Sequence, residues 1–205
     1  MINSFKYVSI DIECCGLDPL LHDIIEFGAV LDDLSDQRPI HTLPVFHCYF
    51  VKEEYRGEPF ALSMHPTIFR RIAERGEEEN RNKYHYFSAE KFGNSFKSFL
   101  VKNGYQTEHD KVTINAAGKN FGSFDLQFLK HKTDLLKHVN IRSRIVDPGI
   151  LFLDGDDDAI PGLNKCKERA RITGTVTHCA VDDAIDVVKV LRYGLKHIYN
   201  PTIRQ

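Results

Sequence analysis

The sequence predicts an α/β fold, a mixed five-stranded sheet flanked by helices. Two observations carry this expectation. Three short apolar stretches come first, joined by segments too short for crossover helices; strand-like and helix-like patterns then alternate to the end of the chain. A length of 205 residues with 42% hydrophobic content is also enough for one globular domain, residues 1–205, with a buried core.

Phe5 to Glu13 reads as a strand, followed by the turn-prone Gly16, Asp18 and Pro19. Ile24 to Leu31 reads as the second strand and Thr42 to Val51 as the third, after a turn around Ser35 to Pro39. Such short connections predict an antiparallel meander. From Pro66, residues Ile68, Phe69 and Ile72 recur at helical spacing, and Arg75 to Lys83 is polar enough to read as a solvated loop. Ser88 is the expected N-cap of a helix whose apolar face is Phe92, Phe96, Phe99 and Leu100, with Gly104 ending it. Lys111 to Ala117 reads as a strand, Phe124 to His131 as a short helix, and Arg144 to Val146 as a brief strand before Pro148. Leu163 to Ile172 is expected to be helical. Ala180, Ala184, Val187, Val188, Leu191 and Leu195 form the apolar stripe of a long final helix, whose acids come first and whose Lys189, Arg192 and Lys196 come late, matching the helix dipole.

Composition removes several classes of function. Apolar runs fall far short of the roughly 20 residues that cross a bilayer, and the start lacks a signal-peptide pattern, so a cytoplasmic protein is expected. Five cysteines without a Cys-x-x-Cys spacing read as reduced thiols. Twenty-seven basic against 29 acidic residues leave a net charge of −2, so no global positive field holds long nucleic acid. Any such contact must be local or metal-assisted; the candidate local cations are Lys119, Lys130, Lys132, Arg142, Arg144, Lys165 and Lys167. The run Asp154 to Asp158 lacks the Glu a calcium loop requires and reads as a solvated loop.

Three segments carry candidate chemistry. In Asp11-Ile12-Glu13, residues two apart on a strand share a face, so the two carboxylates point together while Ile10 and Ile12 point away. Water at a strand end relieves their repulsion; a divalent cation relieves it better. Asp125 follows a strand on the kind of loop where α/β folds put functional groups, or is an ordinary acid at a helix N-terminus. His178 precedes the last helix and Asp183 lies in its first turns, a base on a loop beside a ligand on a rigid element.

Taken together and in this order, the segments resemble the DEDDh 3′-to-5′ exonucleases, a superfamily of proofreading exonucleases and oligoribonucleases with a ribonuclease H-like fold. The resemblance runs from Tyr7 to Leu191. It rests on Ser9 to Pro19 continuing through Ile24 to Val30, on Asn120 with Phe124-Asp125, and on His178-x4-Asp183 with Ala180 and Ala184. It implies two divalent cations, Mg²⁺ or Mn²⁺, one held by Asp11, Glu13 and Asp183 and the other by Asp11 and Asp125. His178 would take the proton from the attacking water, and nucleoside 5′-monophosphates would leave a 3′ end. Further implied substrate contacts are Leu17 as an apolar wedge, Phe124 as a stacking aromatic, His65, Asn120, and the segment of Cys14 and Gly16, where cysteines replace the family's usual Thr and leave backbone contacts.

The expected partners are single-stranded RNA or DNA and short oligonucleotides, with no membrane. The resemblance also allows a homodimer and a place in a polymerase or repair complex. Two other readings compete. A ribonuclease H-like binding module that recruits a polymerase or repair partner without cutting would be marked by a lost ligand or base, and Asp11, Glu13, Asp125, His178 and Asp183 are all present. A nucleotide phosphohydrolase should carry a Gly-rich phosphate loop, and none is seen.

Overall fold

The computed structural model describes residues 4–199. In chain order the first half contains β1 (Lys6–Cys14), β2 (Ile24–Asp33), β3 (Val45–Phe50), α1 (Pro59–Met64), α2 (Pro66–Ala73), α3 (Glu78–Lys83), β4 (His85–Phe87) and α4 (Phe92–Lys102). The second half contains β5 (Thr107–Glu108), β6 (Lys111–Ile114), β7 (Ala116–Ala117), α5 (Asp125–Lys132), α6 (Leu135–His138), β8 (Val139–Ile141), α7 (Leu163–Arg169) and α8 (Ala180–Tyr199). The main sheet has five strands in the order β4-β3-β2-β1-β7, and β5-β6-β8 form a second, three-stranded sheet. β1, β2 and β3 are the expected antiparallel meander, and β7 and β4 add parallel edges. The mixed α/β architecture read from the sequence is therefore the one observed.

Alternation along β1 sorts its side chains into two layers. Val8, Ile10 and Ile12 pack with Phe27, Phe92, Phe96 and Phe121 in the larger core, under α4. Tyr7 faces the other way, against Ala184, Val187 and Leu191 of α8, and the Ser9 hydroxyl donates to the Ala184 carbonyl at 2.8 Å. Asp11 and Glu13 continue this second face. The Tyr7 hydroxyl and Arg192 both donate to Asp32, which ties the later turns of α8 to β2. Lys167 of α7 is buried and pairs with buried Asp186, which ties α7 to the same helix.

Several local expectations need correction. Arg75 to Lys83 is no simple loop, because Glu78–Lys83 forms a helix with acids in its first turn and bases in its last, aligned with its dipole. Ser88 does not cap α4: its carbonyl accepts a turn bond from Lys91, which precedes the helix. Lys111 to Ala117 is not one strand, since the chain breaks at Asn115 and passes from the small sheet to the main one. Arg144 to Val146 contributes only a bridge from Val146 to Ala117; the fifth strand of the main sheet is instead β4. Helix α1 and strands β5 and β8 are too short to leave a periodic signal. Among the described residues no helix is long and apolar enough to cross a membrane.

The first turn of α8 lies directly on β2. A Cβ on Gly28 would come 2.4 Å from the Ala180 carbonyl carbon and 2.5 Å from the Val181 nitrogen, both backbone atoms that cannot swing aside. Gly28→Ala is expected to lower the unfolding free energy by about 1–3 kcal/mol in denaturant titrations. Gly76→Ala, which meets nothing within 4 Å, should stay within about 0.5 kcal/mol of the parent.

Candidate active site

Four segments far apart in sequence deliver acidic side chains to the α8 face of β1. Asp11 and Glu13 come from β1 itself. Strand β7 pairs with β1 only at Val8 and Ser9, so the edge of β1 beyond Ser9 is free. There the Ile12 N–H donates to Asp125 Oδ1 at 3.1 Å, which draws the first residue of α5 against the strand. Phe121, buried in the main core, anchors the loop that makes this approach. From α8 comes Asp183, whose Oδ1 accepts from the Thr177 N–H at 3.4 Å. On β2, Glu26 sits opposite Glu13 in register and is fully buried.

His178 completes the group. Glu13, His178 and Asp183 each offer a ligand atom, and these atoms lie within 4.8 Å of one another. His178 is exposed and has φ +52°, a left-handed backbone two residues before α8 that is uncommon in residues other than glycine. The sequence profile of the exonuclease family, of ribonuclease T type, matches residues 8–191, a span that contains all of these groups. The chain belongs to that exonuclease family. With it comes the DEDDh superfamily, the ribonuclease H-like fold and nucleic acid as the class of substrate. No curated protein matches the chain.

The electrostatics of this exonuclease are those of a charge cluster lacking counterions. Burial, then Asp125, Glu13, Asp183 and Glu26, hold the Asp11 carboxyl well above the usual carboxylate range. Burial pushes Glu13 up to about 9, with Glu26 the largest of the neighbouring charges. Asp125 is raised to about 7 by burial, although the Ile12 N–H pulls it down. Asp183 is raised to about 6, again by burial, with the Thr177 N–H and His178 opposing. Among the described residues no Lys or Arg forms an ion pair with Asp11, Glu13, Asp125 or Asp183. Oxygen donors converging without a cation of their own fit a hard divalent metal ion.

The other residues singled out from sequence are distributed around this cluster. His65, between α1 and α2, is buried with Nε2 at 3.5 Å from Glu13 Oε2, while its Nδ1 has no hydrogen-bond partner among the described residues. Burial and His178 hold its imidazole below the usual value. The half-buried Cys14 donates its thiol to the Gly16 carbonyl at 3.1 Å and packs on the phenylalanine core. Gly16 is buried against His22, and Leu17 beside it is 72% exposed at the tip of the turn. This turn is pinned by buried Asp23, which accepts from Lys52 and from the Arg56 N–H. Phe124 is half-buried with its ring 5.2 Å from Phe128. Asn120, at φ +58°, takes its place from Asp147 and Lys119.

Of the candidate cations, Lys119 is tied to Asp147, Lys132 to the Leu20 carbonyl, Lys165 to Glu168 and Lys167 to Asp186. Lys130, Arg142 and Arg144 are exposed. Glu26 is the acidic group that the sequence reading left without a role. Its available signal was a charge in the middle of an otherwise apolar strand.

A carboxyl whose folded value is raised stabilises the fold below its unfolded value and loses that contribution as pH rises through the folded one. The window here runs from the unfolded range near 4 up through about 6, 7 and 9 for Asp183, Asp125 and Glu13. With chelator present, the melting temperature is therefore expected to fall as pH rises from about 5 to about 9. Added Mg²⁺ or Mn²⁺ should recover it, by more at about pH 8 than at about pH 6, since metal binding displaces protons from these groups. Asp11→Asn should stabilise the metal-free protein at about pH 8, by roughly 1 kcal/mol, and remove much of the metal effect.

Proposed function

We propose that this chain is a single-domain, metal-dependent 3′-to-5′ exonuclease that acts on single-stranded nucleic acid or short oligonucleotides and releases nucleoside 5′-monophosphates. The observation that carries this reading is the convergence of Asp11, Glu13, Asp125 and Asp183 from three separate elements, beside His178 and with no Lys or Arg among the described residues paired to them. Asp11, Glu13 and Asp183 would hold one divalent cation, and Asp11 with Asp125 a second, Mg²⁺ or Mn²⁺ in each case. When bound, such ions stabilise charge on the phosphodiester oxygens and make water a better nucleophile.

The chain's own groups do the rest. His178 lies on an exposed corner within reach of Glu13 and Asp183, where its ring nitrogen accepts the proton of the attacking water. A carboxylate engaged with a cation is a poor base by comparison, which leaves the imidazole as the suitable acceptor. Leu17, exposed on a pinned turn, wedges against the terminal base, and Phe124 offers a π-face that stacks without regard to sequence. His65 lines the substrate beside Glu13 and Asn120 meets the sugar, with backbone contacts from Cys14 and Gly16. The net charge of −2 favours a short strand held by its 3′ end over a long one tracked along a basic groove.

The test is a time course on 5′-labelled single-stranded RNA and DNA of equal sequence with Mg²⁺, Mn²⁺ or chelator. Metal-dependent ladders shortening from the 3′ end are expected. Asp11→Ala should abolish them, and His178→Ala should lower kcat by about 10²- to 10⁴-fold. Folded protein that yields no product with any metal would overturn the reading in favour of a binding module.

A further inference from the structure

We infer that Glu26, backed by His47, is a positioning residue that holds His178 and Asp183 in place, an inference that rests on the exonuclease reading above. The first N–H groups of a helix have no partner within it and are normally served by an oxygen-bearing side chain at the N-cap. In α8 that position falls on Cys179, whose thiol is a poor acceptor. The role passes across the sheet: Glu26 Oε2 accepts the Ala180 N–H at 2.9 Å. A carboxylate is also the favourable group at the positive end of a helix dipole.

The other carboxyl oxygen is engaged too. Glu26 Oε1 lies 2.7 Å from His47 Nε2 on β3, and the Cys179 sulfur is 3.8 Å from the same oxygen. His47 is set edge-on against Tyr49 and Tyr84, with ring centroids at 4.9 and 5.8 Å, so its ring has little freedom to turn. Arg71 reinforces that wall, lying over Tyr84 and donating to the Tyr49 hydroxyl. A chain of contacts thus runs from α2 through β3 and β2 to the first residue of α8. Glu26 is fully buried beside Glu13 in register; apart from its charge, which a Gln at this position removes, it acts through the backbone it grips.

That backbone needs a grip. His178 has φ +52°, and a strained residue keeps its conformation only where its surroundings impose it. On its N-terminal side the Val176 N–H is held by Asn164 Oδ1 at 2.8 Å, while nearer His178 the Thr177 N–H reaches Asp183 at 3.4 Å and the Thr177 hydroxyl reaches Asp182 at 3.2 Å. On the C-terminal side stand the Glu26 bond and the seating of Ala180 on Gly28. Releasing the Ala180 N–H frees the corner bearing His178 and the first turn of α8, which bears Asp183.

The experiment compares the full chain with E26A, E26Q and H47A. It reads kcat and KM on a labelled oligonucleotide with Mn²⁺, and amide hydrogen exchange by peptide in the absence of substrate. E26A is expected to lower kcat by about 100-fold with little change in KM, as for a displaced catalytic group. Exchange over residues 176–184 should quicken about tenfold while β1 and β2 are unaffected. E26Q keeps an oxygen for the Ala180 N–H and should return kcat to within about fivefold of the parent; H47A should fall between, at about tenfold. Folded E26A with kcat and local exchange within about twofold of the parent would overturn the inference. So would E26Q as impaired as E26A, since the charge and not the anchor would then matter. If E26A does not fold, H47A decides, and parental kcat and exchange in it overturn the inference. A parent without nuclease activity would defeat the exonuclease reading alone, and the exchange data would still decide the positioning role.

Discussion

Mutual repulsion among buried carboxyls is the constraint on which the rest of this molecule depends. Neighbouring carboxylates, Glu26 among them, raise the proton affinity of Asp11 and Glu13, and among the described residues no Lys or Arg pairs with Asp11, Glu13, Glu26, Asp125 or Asp183; His47, His65 and His178 stand at the margins. Nothing in the cluster attracts its members to each other. They are brought together by the apolar contacts on either side of β1, with the phenylalanine core below and the valine and leucine stripe of α8 above. Backbone N–H groups then take the place that cations would otherwise fill: Ile12 for Asp125, Thr177 for Asp183 and Ala180 for Glu26. An arrangement that stores electrostatic cost at one point and offsets it through packing elsewhere is what a site built to receive positive charge requires.

Much of this could be read from the sequence because the decisive patterns are local. The two-residue period of β1 placed Asp11 and Glu13 on one face and Ile10 and Ile12 on the other, and the helical stripe of α8 marked the face that meets them. What could not be read depends on distant partners. Glu26 looks like an interruption in an apolar strand until Ala180, 154 residues later, is seen to need its oxygen. The break at Asn115 is invisible in a run of strand-forming residues, because it arises where the chain must leave one sheet for another. Strand β4 is three residues long, too short to stand out although Tyr86 and Phe87 favour strands, and it is fixed by pairing along the edge of β3. Ser88 shows the reverse failure, a good capping residue placed one turn too early.

The distribution of firm and light holds around the cluster also has a pattern. Asp11 and Glu13 ride on the central antiparallel strands, and the turn between those strands is fastened by Asp23 to Lys52 and Arg56. α8 is fastened at three levels, by Glu26 at its start, Lys167 to Asp186 in its first half and Asp32 to Arg192 further on. In the segment before Ala180 the ties are those of Val176 to Asn164 and of Thr177 to Asp182 and Asp183, and next in it comes His178, the histidine of the group that is open to solvent. Under the proposed function, firmly held acids beside a more exposed histidine would suit a reaction in which charge placement is fixed while a proton is carried away.

The bond from Ser9 to Ala184 spans 175 residues, and it marks where the two ends of the described fold meet. A translating ribosome releases β1 and β2, which carry Asp11, Glu13 and Glu26, well before α5 with Asp125 and α8 with Asp183. Until α8 has emerged, the nascent chain holds an incomplete centre while it is tethered close to the messenger that encodes it. The order of the elements thus delays assembly of the site until the last of its acidic segments has been made.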